Sequence, residues 1–320
     1  MKKSRIVSLV PAATEIVGAL GLLDALVGVS HECDFPPSAN RLPRVTHCPI
    51  HNAGLSSAEV DRWVRDTLAS TGTLYTLDEA LLRDLQPDII LTQKLCDVCA
   101  VGYGSVAKMA ASLPSSPQVL SLEPATLHDI FDTVHAVAQV AGVPERSEAV
   151  VAGLQARVEA VRARAATLHR PRCFLLEWAD PLFCAGHWNP ELVEIAGGVD
   201  LFGRMGERST QVSWEEVLAA QPEVIVLALC GWNVERARRD LAVLQSYPNW
   251  RSLPAVQRGE VYAVDGNAYF SRPGPRIVES LEVLAGILHP EAFPEFAPPQ
   301  WRPDQVVRLE KETVSPPSPA

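Results

Sequence analysis

No stretch of this 320-residue chain reaches the ~18 consecutive apolar residues that a membrane span requires, so no transmembrane segment is expected. Positive charge is also scarce. Lys and Arg number 28 against 38 Asp and Glu, a formal net charge of −10. A nucleic-acid partner needs a basic face, and none is visible. The chain lacks the G-x-S-x-G elbow, the H-E-x-x-H pair and the Walker loop. Glu177 and Asp180 near His187 are the remaining acid–base candidates. Carboxylates at strand ends are common without chemistry, so a binding protein is expected before an enzyme, with no catalytic residue assigned.

The N-terminus, MKKSRIVSLVPAATEIVGALGLL, starts basic and apolar. Pro11 and Glu15 break the run, and no small-residue cleavage site closes it, so it reads as a strand and a helix rather than a secretory signal. The expectation is a cytoplasmic protein with reduced thiols. Seven cysteines, an odd number, fit free thiols or ligands better than a disulfide framework.

What the chain does contain is a pattern written twice. LYTLDEALLRDLQPDIILTQKLC (74–96) and STQVSWEEVLAAQPEVIVLALC (209–230) each run from an amphipathic helix through Gln-Pro-acid into a β-rich run ending at a cysteine. Two α/β lobes of related design follow. The first (1–126) has predicted strands at 6–10, 25–30, 88–92 and 118–121. The second (171–290) has predicted strands at 173–177, 224–228 and 261–264. Between them, 127–170 holds two helices, the second long enough at ~1.5 Å per residue to cross from lobe to lobe. The fold class is α/β: two Rossmann-like lobes with parallel sheets joined by a long backbone helix. Residues 291–320 form a Pro-rich tail, partly disordered.

Ligands of open α/β sheets bind beyond the carboxyl ends of the strands. Cys33, Cys48, Cys96, Cys99, Cys184 and Cys230 all follow strand ends, which suggests a shared cleft between the lobes. Cys96 and Cys99, in LTQKLCDVCAVGYGSV, are three apart. With His31, His47, Cys33 and Cys48 they form a candidate set for zinc or an iron–sulfur cluster, in a protein of redox or metal trafficking. Lining of a ligand pocket is the competing reading.

The opening IVSLVPAATEIVGALGLLDALVGVSHECDFPPSA resembles that of the cobalamin and iron-siderophore binding proteins of ABC importers, the helical-backbone (class III) substrate-binding proteins. The likeness continues through LQPDIIL, PLFCAGHWNPELVEIAGGVDLF, TQVSWEEVLAAQPEVIVL and YFSRPGPRIVESLEVLAGILHP, over residues 5–290. It implies a corrinoid, cobalamin or a related metal complex, bound in the cleft. Phe35 matches the aromatic of an Asp-aromatic-Pro-Pro turn. Phe183 and His187 match a loop of the second lobe, and Phe270 and Arg272 match an aromatic and arginine near its last strand. Trp178, Trp188 and Trp232 could supply further flat faces. Ala12 and Ala13 begin a helix at the cleft. Cys48, Gln93 and Ser209 stand where cobalamin importers carry tryptophans. Asp34 reads as a cap of its own turn. Of the glutamates that meet a permease in this family, Glu215 matches one and Glu79 lies beside the other, so docking to an ABC permease is in doubt.

Overall fold

The computed structural model describes residues 4–49, 54–94 and 101–309. The chain divides into two units, Met1–Glu159 with Arg272–Val278, and Ala160–Ser271 with Glu279–Ala320.

The first unit opens with β1 (Ile6–Ser8), α1 (Pro11–Ala19) and β2 (Leu26–Val29). Pro11 suits the start of α1, because a first-turn N–H has no intrahelical acceptor to lose. A small antiparallel pair follows, β3 (Thr46–His47) with β4 (Thr76–Leu77), and between these two strands lies α2 (Ser57–Thr71). A reciprocal Ser56–Glu59 capping box begins α2, and Gly72 ends it with φ 71°. Next come α3 (Glu79–Leu85), β5 (Ile89–Thr92), α4 (Tyr103–Ser112), β6 (Gln118–Ser121) and α5 (Leu127–Val140). The sheet order is β2-β1-β5-β6, parallel throughout. Val7, Leu9, Leu82, Ile90, Val106 and Met109 pack into one core beneath it. The division between units falls inside α6 (Pro144–Ala165).

In the second unit, β7 (Arg172–Ala179), β8 (Leu182–Cys184), α7 (Asn189–Ile195), β9 (Val199–Asp200), α8 (Trp214–Ala220), β10 (Val224–Leu227), α9 (Val234–Ser246), α10 (Pro254–Arg258), β11 (Val261–Val264), α11 (Ile277–Leu288) and β12 (Val306–Arg308) follow in order. α11 straddles the division, because Ile277 and Val278 belong to the first unit. β7, β10 and β11 are parallel, as the sequence suggests, and a two-residue β9 that it does not announce adds a further parallel strand beside β7. Two antiparallel strands that it does not announce complete the sheet. β8 folds back on β7, and β12, inside the expected tail, pairs with β11. Residues 310–320 lie outside the described residues. Among the described residues no helix is long and apolar enough to cross a membrane.

The duplicated pattern reaches the level of single hydrogen bonds. α3 is capped by Asp78 and α8 by Ser213, and both helices end on a glutamine in the left-handed region, Gln86 (φ 43°) and Gln221 (φ 50°). Proline and an acid follow each. Asp88 and Arg5 exchange bonds, N–H to O at 2.8 Å and Oδ2 from N–H at 2.8 Å. Glu223 and Arg172 do the same at 2.8 Å and 3.1 Å. Each arginine also caps its helix end, Arg5 Nε donating to Leu85 O and Arg172 Nη2 to Gln221 O. The acid thus ties the turn to the first strand of its own sheet.

Left-handed backbone costs a residue with a Cβ about 1–2 kcal/mol, and glycine escapes that cost. Gln221 recovers part through Nε2, which donates to Leu218 O at 2.7 Å. Gln86→Gly is therefore expected to raise the thermal midpoint, while Gln221→Gly stays near neutral. Calorimetry of the two variants compares them.

Candidate functional site

In the first unit the residues that the sequence marks gather around a buried carboxylate. Glu15 lies on α1 and is 3% exposed. It accepts a two-pronged contact from Arg276, Nη2 at 2.6 Å and Nε at 3.1 Å, and Arg272 Nη1 stands 3.5 Å away. Arg272 is itself buried and grips Asp34 with both ends of its fork, at 2.5 Å and 3.1 Å. Gly274 lies close against α1 here, where a Cβ would stand 3.3 Å from Ala12 O, a tight contact, and 3.5 Å from Glu15 Oε2, an ordinary one. The guanidinium of Arg276 lies 4.1 Å over the Phe35 ring, which is 38% exposed. Burial pushes the Glu15 carboxyl up, against the pull of Arg276 and then Arg272. Burial would also raise Asp34, but the hydrogen bonds and charge of Arg272, with Arg276 behind, outweigh it and hold that carboxyl below its ordinary value. Asp34 thus seats Arg272, a partner the expected local cap does not foresee. Arg272, expected at the ligand, has its charge spent on Asp34 and Glu15.

Ala12 and Ala13 are buried on α1, while Gln93, Cys48 and His31 are half-buried and His47 is exposed. His31 Nδ1 sits 2.7 Å from Thr46 Oγ1, and burial, then the neighbouring His47 and Arg44, lowers its basicity.

In the second unit an aromatic wall stands at the carboxyl end of β7. Trp178 pairs with Phe183 across β7–β8 and meets Trp232 edge-on with centroids 5.4 Å apart. Arg236 lies 3.6 Å over the Trp232 ring. Trp178 and Phe183 are half-buried, and Trp232 is 5% exposed. Trp188 and Phe270 are instead interior, the indole N–H of Trp188 donating to Phe270 O at 3.1 Å. They brace the loops that carry them. His187 adopts φ 56°, its Nε2 is buried without a hydrogen-bond partner, and burial, then Arg208, lowers its pKa.

Against known proteins, the periplasmic binding protein family model matches residues 6–268. The chain belongs to that family. A vitamin B12-binding protein of Vibrio cholerae is 28% identical over 291 residues, covering 89% of this chain and 88% of that protein. Its counterpart in Salmonella typhimurium is 24% identical over 287 residues, 89% and 90% covered. The crystal structure of the periplasmic vitamin B12-binding protein of V. cholerae superposes with a TM-score of 0.63 at 26% identity, covering 89% of this chain and 96% of that one. A periplasmic haem-binding protein from Roseiflexus shares the fold, with a TM-score of 0.66 at 23% identity over 91% and 100%. The helical-backbone class read from the opening motifs is thereby confirmed.

Within this family frame the cysteine convergence is corrected. Cys33 is fully buried in the first unit, where Thr14 Oγ1 donates to its sulfur at 3.0 Å and burial pushes the thiol up. Cys173 and Cys184 are interior to the second unit, their thiols likewise raised by burial. Cys184 follows a strand in sequence, yet the chain turns back at Pro181 and places it inside β8. Cys48 and Cys230 are half-buried in different units. Among the described residues no group of three or more His, Cys, Asp or Glu is placed to hold a metal ion. Cys96 and Cys99 lie outside the described residues. Neither zinc nor an iron–sulfur cluster gains support from the geometry of His31, Cys33, His47 and Cys48.

Sequence reasoning missed Glu15 as an anchor and the contact of Glu177 with Ser209, whose hydroxyl donates to Glu177 Oε2 at 2.7 Å. An acid inside the apolar run of α1 was the available signal for the first.

Removing one member of a buried ion pair costs about 3–5 kcal/mol, so Glu15→Gln is expected to lower stability by about 3 kcal/mol in denaturant unfolding. Asp34 has a depressed pKa, so its stabilisation is present above its ordinary value near 3.8 and is lost as pH falls through the depressed one. The gap in thermal midpoint between wild type and Asp34→Asn should accordingly be full at about pH 6 and shrink below about pH 3.

Proposed function

We propose that this chain is a binding protein for a corrinoid, cobalamin or a close chemical relative, rather than an enzyme. The observation that carries the reading is near-full-length likeness to vitamin B12-binding proteins, at 28% identity over 291 residues in one case. The two aromatic features support it. A corrin ring is wide and flat, apolar on its faces and amide-bearing at its rim. It needs aromatic planes and a few hydrogen-bonding groups. Trp178 with Phe183, backed by the buried Trp232, offers such planes in the second unit, and Phe35, held by Arg276, offers one in the first.

Partnership with an ABC permease belongs to the same reading. Glu79 and Glu215 are exposed in the first turns of α3 and α8, the paired helices of the internal repeat. Charge reversal at both is expected to abolish stimulation of a cognate permease's ATPase while leaving ligand affinity intact. Undiminished stimulation rules these carboxylates out.

The reading is tested by adding cobalamin to purified protein and passing the mixture through gel filtration. A red complex should co-elute, and spectral titration should give a saturable 1:1 curve. Trp178→Ala should weaken binding about tenfold, the order expected for an aromatic contact of ~1–1.5 kcal/mol. Colour that elutes wholly with free ligand defeats the assignment.

A further inference from the structure

The second unit has a cavity of about 600 Å³ on the flank of its sheet, apart from the aromatic wall. Asp200, one of its lining residues, pairs with Cys173 near the start of β7. Trp178 lies five residues further along that strand, ~16 Å at ~3.3 Å per residue. The last turn of α6, the helix α7 and the segment around Gly203 enclose the space, and all of its lining belongs to the second unit.

The charges around this cavity do not balance. Arg162 and Arg170 stand against Glu191, Glu194 and Asp200, one acid in excess. Arg170 is spent on Glu194 and on Gly198 O, and Arg162 is engaged as well. Asp200 is the acid left over. Its Oδ1 accepts from the N–H of Phe202 at 3.0 Å and of Gly203 at 2.6 Å, which closes the turn after β9. Its Oδ2 is buried and has no hydrogen-bond partner among the described residues. The titratable groups that act on it are Glu194 of α7, Cys173 of β7 and Cys184 of β8. The first is a like charge, and burial keeps both thiols neutral, so none of the three is a cation. Burial, with Glu194 adding to it, outweighs the two backbone N–H groups and pushes the Asp200 carboxyl up to about 6. At neutral pH it is still mostly ionised, an anion in the cavity wall without a counter-ion.

We propose that this cavity is a second binding site, for a small organic cation: a primary ammonium on an apolar body. An opposite charge within about 4–6 Å stabilises an ionised carboxylate, so the ammonium has only to rest against the wall at Asp200, not to reach Oδ2 itself. Pro190, Ile195 and Met205 supply the apolar lining, and the Met205 side chain, 59% exposed, is free to adapt to the body of the ligand. The volume falls in the range of small-molecule pockets. A bare metal ion is a poor occupant, because among the described residues no three His, Cys, Asp or Glu are placed to hold one. An anion would meet only arginines that are already engaged. The site stands apart from the corrinoid reading and does not depend on it.

The test uses the full chain and three probes of one size, cationic 2-phenylethylamine, neutral 2-phenylethanol and anionic 3-phenylpropanoate. Each is titrated by ligand-observed NMR into wild type, Asp200→Asn and Met205→Ala. At about pH 7.5 wild type should bind the amine about tenfold more tightly than the alcohol, and the acid least. At about pH 5 only about one-tenth of Asp200 is ionised, so the amine should weaken about tenfold while the alcohol holds. The amine itself stays charged throughout. Asp200→Asn keeps Oδ1 for both N–H groups and should remove the amine's advantage together with its pH dependence. Met205→Ala should weaken amine and alcohol alike and leave the pH dependence in place. Equal affinity for amine and alcohol in wild type overturns the proposal, and so does an amine preference that survives in Asp200→Asn. Absence of binding by every probe does the same. Should Asp200→Asn fail to fold, the pH series on wild type and Met205→Ala decides, and an amine affinity that is flat across it overturns the site.

Discussion

A carboxylate inside an apolar helix face has to be neutralised, and Glu15 imposes that requirement on the first unit. An unpaired ion in such a place costs several kcal/mol. The chain meets the need with Arg276 and Arg272, drawn from a segment 261 positions away in the tightest case. Arg272 brings Asp34 with it, so two acids and two arginines close on one another. The stretch Arg272–Val278 consequently belongs to the first unit although the chain on either side belongs to the second. The Phe35 turn, carried by the residue next to Asp34, is held under Arg276 by the same set of bonds. The exposed Phe35 ring therefore depends on electrostatics as much as on packing.

The second unit solves the corresponding problem with backbone. Its wall is set by a bulge in β7, a strand that turns back as β8, and a glycine that lets the 206–210 segment approach. Its polar group, Glu177, is half-buried and accepts a hydrogen bond from the Ser209 hydroxyl. Paired charges at Glu15 fix a chain crossing, and the Ser209 hydroxyl fixes the position of one Glu177 oxygen. The shared helix-turn-strand unit, with its Arg5–Asp88 and Arg172–Glu223 ties, supplies the same rigid base to both.

Much of the architecture was legible because it is local. The parallel strands announce themselves as short β-branched runs, and Gln-Pro-acid marks where each helix hands over to a strand. What escaped depends on long-range pairing. β8 and β12 are three residues each, too short to show a period, and exist because β7 and β11 offer them an edge. Cysteine positions misled for a related reason: following a strand in sequence does not place a residue at its tip when the chain doubles back, as Cys184 shows. Arg272 was recognised as unusual, but the acids that claim it lie more than two hundred residues earlier. Phe35 and Phe183 were marked by family motifs, and Trp178 and Trp232 as tryptophans near strand ends. Glu177 was named as a candidate acid, but its contact with Ser209 depends on a bulge that leaves no trace in composition.

The claim on which this account most depends is that Glu15 ties two distant segments into one cooperative element. Amide hydrogen exchange across residues 30–36 and 272–278, compared between wild type and Glu15→Gln, tests it directly. The account predicts that both segments lose protection together while the β5 and β6 amides keep theirs. Protection lost from 272–278 alone, with 30–36 unchanged, would contradict it.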